Sequence, residues 1–305
     1  MNLTLTPEAQ AIVAAHQSLA LPLEGQPALH YSREDATYRH AKQACLALGF
    51  IEIDAECLAK AWQAMTDRTG RFDPQAWPHE PADFGLPAWP RASAFPTCPK
   101  DLGLYAVLPT AEWVGRMARA GVPTVQLRFK SDDAQAVARE VRAAVEAVRG
   151  TQALLFINDH WREALAAGAY GAHLGQEDME AMAAADLAAL RAAGLRLGLS
   201  SHGYAEMVRA DQFSPSYIAM GAVYPTTLKR MPTAPQGPGR LAAYARLMRA
   251  YPLVAIGGID GGRLAEVMQS GVGSVAVVRA ITAADNPEAA AAELQAQIRT
   301  LRVRV

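Results

Sequence analysis

Leu154-Leu155-Phe156-Ile157-Asn158-Asp159, followed by Gly171-Ala172-His173-Leu174-Gly175-Gln176-Glu177-Asp178, decides how this chain reads. Each stretch is a short apolar run that delivers polar and acidic residues just past its C-terminal end. The same rhythm extends outward in both directions. Apolar runs of strand length occur at 102–109, 124–129, 153–159, 171–175, 196–202, 216–223, 253–259 and 274–280. Ala-rich amphipathic segments alternate with them, at 111–120, 132–149, 160–168, 179–193, 203–210, 239–250, 261–270 and 287–301. Near-continuous apolar strands alternating with helices indicate a parallel sheet covered on both faces. Eight such units predict an α/β fold of the (β/α)8 TIM-barrel type. Gly121, Gly150, Gly168, Gly194 and Gly271 fall where helical segments end, the usual place for a left-handed cap. A doubly wound open sheet is the competing architecture, and the Gly-rich first turn that usually marks it is missing.

Residues 1–98 read differently. Arg33–Leu48 and Ala55–Thr66 carry apolar residues at helical spacing with few β-branched ones. Pro74, Pro78, Pro81, Pro87, Pro90, Pro96 and Pro99 then exclude helix interiors and central strands, while Trp77 and Trp89 among them imply packing against something. The reading is a small, mainly helical N-terminal extension with a Pro/Trp-rich connector (1–98), followed by the barrel (99–305). Lys plus Arg (29) balances Asp plus Glu (30), so no global field recruits nucleic acid or an anionic membrane. Cys45, Cys57 and Cys98 lack the spacing of a disulfide framework or zinc site. The N-terminus lacks the order of a signal peptide, and no apolar run reaches the ~18 residues of a membrane span. A soluble cytoplasmic protein is expected, with small-molecule partners; whether it forms a homo-oligomer is left open.

In a parallel barrel, ligands bind where the loops leave the C-terminal strand ends. The second strand ends in Gln126, Arg128 and Lys130, spaced in twos and so on one side. Cations facing a closed interior are expensive unless an anion meets them, which suggests a phosphate clamp; structural ion pairs to Asp132 are the plainer alternative. Asp159 and Asp178, with Asn158 and Gln176 beside them, suit Mg2+, which takes one or two carboxylates and completes its shell with water and phosphate oxygens. The plainer alternative for each Asp is a helix cap. His160 and His173 fit packed, hydrogen-bonded roles better than ligation. Ser200-Ser201-His202 has parts of a nucleophilic triad without a Gly-x-Ser-x-Gly elbow, so Ser200 is read as a hydrogen-bonding partner of a polar heterocycle. Lys229, in the long loop after the sixth strand, can close on a phosphate as a point charge, or else is simply solvated. Gly257 and Gly258 after the seventh strand, with Val278 and Arg279 after the eighth, would build a second anion site from backbone N–H groups. Two anion sites at one rim imply two phosphorylated substrates.

Over residues 101–301 the chain resembles thiamine-phosphate synthase, through VQLRFK, INDH, GAHLGQED, GLSSH, GAVYPTTLK, AIGGI and AVVRAI in family order. The GAHLGQED block and PTTLK are the specific parts; IGGI is common to many phosphate-binding barrels. The resemblance implies that hydroxymethylpyrimidine diphosphate is joined to a thiazole phosphate, releasing diphosphate. By the same resemblance Arg128, Lys130, Asn158 and Lys229 hold the diphosphate, and Asp159 and Asp178 hold Mg2+. Gln126 and Ser200 address the pyrimidine; Thr226, Gly258, Val278 and Arg279 line the thiazole phosphate site. The chain departs from the family pattern at Phe129, where Glu is usual, at Leu228, where Thr is usual, and at Arg279, where Ser is common. Residues 1–98 lie outside the pattern. Two rivals remain: a thiazole tautomerase, with His202 as its support, and a non-catalytic ligand-sensing barrel that uses the extension to contact a partner.

Overall fold

The computed structural model of the protein describes residues 4–22, 29–226 and 233–302. Three helices come first: α1 (Pro7–Ala15), α2 (Ala36–Ala47) and α3 (Glu52–Thr69). Strands and helices then alternate as β1 (Gly103–Leu108), α4 (Ala111–Arg119), β2 (Thr124–Leu127), α5 (Ala134–Ala147), β3 (Leu154–Asn158) and α6 (Trp161–Ala167). Next come β4 (Gly171–Leu174), α7 (Gln176–Ala181), α8 (Ala184–Ala192), β5 (Arg196–Ser201), α9 (Tyr204–Gln212) and β6 (Tyr217–Met220). The chain ends with α10 (Gly237–Leu247), β7 (Leu253–Ile256), α11 (Leu264–Met268), β8 (Ser274–Val277), α12 (Arg279–Thr282) and α13 (Pro287–Arg302). The strands are parallel and close in chain order, β8 pairing with β1 through Gly103↔Ser274 to Ala106↔Val277. The (β/α)8 expectation holds.

Side-chain parity splits the core in two. Tyr105, Val107, Phe156, Tyr217, Ala219, Val254 and Ala276 pack together inside the barrel. Their strand neighbours, among them Leu104, Ala106, Leu155, Ile157, Ile218, Val275 and Val277, join a second cluster between sheet and helices. Alternation at period two across a closed sheet produces this division. Glycines inside make room for the rings: a Cβ at Gly198 would lie 2.1 Å from the Tyr217 ring, and one at Gly171 2.4 Å from that of Phe156. The five helix-ending glycines all adopt positive φ, 70–87°, as caps.

The outer cluster continues into the N-terminal extension, taking in Ile12, Tyr38, Phe50, Leu58, Trp62 and Trp77. The joint lies against α9 and α10. Trp77 Nε1 donates to the Tyr204 hydroxyl at 2.8 Å, Phe84 stacks on the Tyr204 ring, and Trp89 packs on Tyr251 at 4.6 Å. The connector tryptophans therefore pack as expected. Arg240, 2% exposed, donates from Nε to the Leu19 carbonyl and from Nη2 to the Leu48 carbonyl, each at 2.9 Å, while its guanidinium lies 3.6 Å from the centroid of the Phe50 ring. A barrel side chain thus satisfies two extension carbonyls, one in the short 3-10 turn Gln17–Leu19 after α1 and one at the end of α2. In return Asp54 of α3 accepts from the Ala205 amide of α9 at 2.8 Å.

Three features lie outside the sequence-based expectation. Helix α1 begins at a Thr6 cap with Pro7 and Glu8 behind it, a start signal that was there to be found. The segment expected as one helix over 179–193 is two, α7 and α8, interrupted where Met182 is extended (ψ 129°). Helix α12 has four residues, too few for any periodicity. Arg240→Ala should lower the unfolding free energy by about 2–4 kcal/mol, because two buried carbonyls lose a charged donor. Arg240→Lys should recover less than half of that, lacking the fork that reaches both carbonyls. Urea unfolding followed by tryptophan fluorescence measures both, and a loss under about 0.5 kcal/mol for the alanine variant, the scale of an ordinary surface substitution, would contradict the assignment.

Candidate active site

Strand β3 ends at Asn158, whose Oδ1 accepts from Gln126 Nε2 at 3.1 Å, so two interior side chains of neighbouring strands are tied together. Asp159 follows in the left-handed region (φ 62°), an uncommon state for a residue with a Cβ that clusters at functional sites. Its amide donates to the His173 carbonyl at 3.0 Å and its carbonyl accepts from Trp161 N at 2.9 Å, which pins this backbone against β4. The residue before α6 is His160, and no side chain caps that helix; the Asp159 carboxylate is therefore not spent as a cap. Asp178 behaves otherwise. It is the third residue of α7, and its Oδ2 accepts from Gly175 N at 2.7 Å, the carboxylate half of a capping box, so the plainer reading is realised there with one oxygen.

Asp159 and Asp178 line one cavity of about 250 Å³, together with Trp161, Arg162 and Asp186. Burial first, and the charge of Asp178 second, push the Asp159 pKa above its ordinary value, while Arg128, His160 and Lys130 pull it down. The sequence-predicted carboxylates and cations thus share one electrostatic neighbourhood. Among the described residues no group of three or more His, Cys, Asp or Glu could hold a metal ion; Asp186 pairs with Arg162 at 3.1 Å, which leaves Asp159 and Asp178 as the acidic donors of this cavity. A larger opening, about 520 Å³, lies beside Arg116, Arg119 and Glu288 on α4 and α13, away from the strand ends, where Arg116 and Glu288 already pair.

The period-two argument for Arg128 and Lys130 needs a correction. Strand β2 ends at Leu127, and the Arg128 amide makes the last ladder bond, to Leu108 O at 2.8 Å. Lys130 is thus placed by the loop rather than by strand alternation. Phe129 packs on the outer cluster, as expected of the residue between them. Among the described residues neither cation has a carboxylate within 4.0 Å, so the ion pair to Asp132 does not form. Lys229 and Leu228 lie outside the described residues.

On β5, Ser200 Oγ meets His173 Nε2 at 2.8 Å; His173 Nδ1 meets the Tyr217 hydroxyl at 2.7 Å, and Tyr217 meets Tyr105 at 2.8 Å. This chain runs through the barrel interior, so Ser200 is held from beneath. His202 pairs with Glu206 at 2.7 Å rather than with Ser200, so Ser200-Ser201-His202 does not assemble as a nucleophilic triad. Gln176 Nε2 donates to Ser200 O at 2.8 Å, tying α7 to the same strand end. Sequence reasoning missed Tyr105 and Tyr217, because a buried tyrosine in an apolar strand reads as core.

Across the mouth, Gly257 (φ 107°) and Gly258 (φ 64°) follow β7. A Cβ at Gly258 would sit 2.5 Å from Pro225 O, so only glycine lets this loop pass so close to the segment that carries Thr226. Val278 immediately precedes α12, whose first residue is the exposed Arg279. Short helix starts after β8 are common phosphate sites in such barrels.

Residues 104–281 match the family model described as thiamine monophosphate synthase. The chain belongs to the thiamine-phosphate synthase family. It is 55% identical over 202 residues to the thiamine-phosphate synthase of Neisseria meningitidis serogroup B, covering 66% of this chain and 97% of that one. It is 49% identical over 200 residues to the thiamine-phosphate synthase of Yersinia pestis strain Pestoides F, covering 66% and 92%. The thiamine phosphate pyrophosphorylase of Pyrococcus furiosus superposes with a TM-score of 0.58 at 28% identity, covering 66% of this chain and 96% of that one.

Tyr217→Phe should cost about 1–3 kcal/mol, since it leaves both the Tyr105 hydroxyl and His173 Nδ1 without this partner. The Tyr105→Phe/Tyr217→Phe double variant should cost less than the sum of the two single changes. Denaturant titration of the four proteins checks this, and strict additivity would show that the interior chain is not coupled.

Proposed function

We propose that the chain condenses 4-amino-2-methyl-5-hydroxymethylpyrimidine diphosphate with a thiazole phosphate, giving thiamine phosphate and diphosphate. What carries the reading is the pairing of a cation-bearing β2 exit, without carboxylate partners among the described residues, with a cavity at the exits of β3 and β4 in which Asp159 and Asp178 meet and the third carboxylate, Asp186, is paired with Arg162. The barrel of 99–305 would be the catalytic region and 1–98 an extension of it. The relatives are named as synthases, which favours transfer over isomerisation or sensing.

Asp159 and Asp178 suit Mg2+: two carboxylates share a cavity, the charge of Asp178 disfavours ionisation of Asp159, and Mg2+ accepts a sparse protein shell. When bound it would neutralise diphosphate charge. Arg128, Lys130, Asn158 and Lys229 would hold the diphosphate, and Gln126 and Ser200 the pyrimidine. Thr226, Gly258, Val278 and Arg279 would receive the thiazole phosphate on the opposite side. The bond from the pyrimidine methylene to the diphosphate oxygen breaks, its electron pair leaving with diphosphate. The thiazole nitrogen then donates its lone pair to that methylene carbon. The protein's part is alignment and charge stabilisation, and no covalent nucleophile is called for. No described helix is long and apolar enough to cross a membrane, and the three thiols are unpaired, which fits a reducing cytosol.

Purified protein incubated with both substrates should form thiamine phosphate and diphosphate only when Mg2+ is present. Product formed equally well without the metal would remove it from the scheme. Asp159→Ala and Asp178→Asn should lower turnover about 100-fold or more, the scale of losing a charge-stabilising group, while circular dichroism stays native. The asparagine keeps an oxygen for the Gly175 amide. Lys229→Ala should raise KM for the pyrimidine diphosphate more than for the thiazole phosphate; the reverse order would mean that the two anion sites are exchanged.

A further inference from the structure

Helix α9 begins immediately after the turn that leaves β5, and its own sequence provides no cap. The residue at the cap position is Gly203, extended at φ −175°, with no side chain to offer. The capping group comes from elsewhere in the chain. Asp54, 3% exposed and 151 residues upstream, accepts from the Ala205 amide at 2.8 Å and also receives the Tyr204 amide. Its carboxylate fills the space that a side chain at 203 would need: a Cβ there would lie 2.0 Å from Asp54 Oδ2. The next residue, Tyr204, is fully buried, hydrogen-bonded to Trp77 and stacked on Phe84, both from the extension.

The turn held in this way is Ser200-Ser201-His202-Gly203. Ser201 Oγ donates to Ala219 O at 3.1 Å, and Glu206, one turn into α9, receives both the amide and the ring Nδ1 of His202 at 2.9 and 2.7 Å. If α9 frays at its start, Glu206 and the turn it braces lose their anchor. Ser200, two residues before His202, is the group assigned to the pyrimidine. The thiazole phosphate residues Gly258, Val278 and Arg279 follow β7 and β8 and share none of these bonds.

We propose that Asp54 of the N-terminal extension is a positioning residue for the pyrimidine pocket, acting by capping α9 and so fixing the turn through which Ser200 reaches the barrel mouth. This rests on the assignment of Ser200 to the pyrimidine under the synthase reading. The extension, which lies outside the family match, is thereby part of the pocket's support. Only the fraction of molecules with a competent turn binds the pyrimidine substrate, so loss of the cap lowers apparent affinity for that substrate alone.

The test uses the full chain and steady-state kinetics with each substrate varied in turn. Asp54→Ala should raise KM for the pyrimidine diphosphate roughly three- to tenfold, the range set by loss of an N-cap, with KM for the thiazole phosphate held within about twofold. Gly203→Ser alone should be harmful, because its Cβ meets the carboxylate. Combined with Asp54→Ala the serine has room to cap its own helix, and the double variant should regain most of the lost pyrimidine affinity. Equal rises in both KM values, or a double variant no better than Asp54→Ala, would overturn the proposal, since general loosening predicts those outcomes. Should Asp54→Ala fail to fold, Asp54→Ser fills part of the space while its shorter side chain withdraws the acceptor from the Ala205 amide. Faster hydrogen exchange at the Tyr204 and Ala205 amides together with a split in KM supports the proposal; wild-type exchange and KM overturn it. A wild-type protein that forms no thiamine phosphate would overturn the synthase reading, whereas failure confined to the variants overturns only the role of Asp54.

Discussion

A closed parallel sheet has no freedom over which residues share its mouth. Once β8 pairs with β1, every strand's C-terminal end lies on one rim, and side chains at alternate positions enter the lumen. Residues far apart in sequence, such as Gln126, Asn158, His173 and Ser200, then become neighbours by parity alone. The Gln126–Asn158 and His173–Ser200 bonds express that constraint in side chains. Small residues are equally dictated: where Tyr217 and Phe156 fill the lumen, Gly198 and Gly171 stand opposite because nothing larger fits. The site is built on a frame whose packing leaves little room for drift.

Within that frame the electrostatics at the β3 and β4 exits are unbalanced. Asp159 is exposed at the rim near a second carboxylate, and its pKa is pushed above the ordinary value. Structural carboxylates are usually matched by a partner at contact distance, as Asp83 is by Arg68 or Asp211 by Arg91. Asp159 has no such partner among the described residues, and neither have Arg128 and Lys130. Unspent charges of both signs gathered at one rim are the expected state of a site whose partners arrive with the substrate. The left-handed backbone at Asp159 adds local strain that packing against β4 sustains.

The barrel and most of the rim were legible because they rest on local signals: strand-length apolar runs, amphipathic segments and terminal glycines. Asp159, Asp178, Gly257 and Gly258 could be placed at strand exits from the sequence because each follows a recognisable strand. The interior Tyr105–Tyr217–His173 chain was not, since the hydroxyls look apolar in a run such as Gly-Leu-Tyr-Ala-Val-Leu until the opposite strand is known. The cap on α9 was hidden for the same reason. A helix start with glycine at the cap position reads as weak, and nothing near residue 203 reveals that its missing group is Asp54. Long-range polar pairing leaves no periodic trace, so tertiary structure alone discloses it.

Asp54 also occupies its place against its own electrostatics. Burial raises its pKa to about 6, more than the helix amides and the charge of Arg240 lower it, and Glu206 adds repulsion. For a carboxylate whose folded pKa lies above its ordinary 3.8, the stabilising contribution belongs to the protonated form. It is complete below that ordinary value and lost as pH rises through about 6. At neutral pH the folded protein therefore holds the ionised group less favourably than the protonated one, by on the order of 3 kcal/mol from the size of the shift. A serine at 203 would cap α9 from its own chain without burying a charge. A more expensive solution that crosses 151 residues of sequence ties the β5–α9 turn to the docking of the extension. Arg240 makes the tie reciprocal, since the extension that offers Asp54 depends on α10 to satisfy its Leu19 and Leu48 carbonyls. The two long-range bonds make one joint of the extension and the α9–α10 side of the barrel, and stability alone gives no reason to choose a buried carboxylate for it.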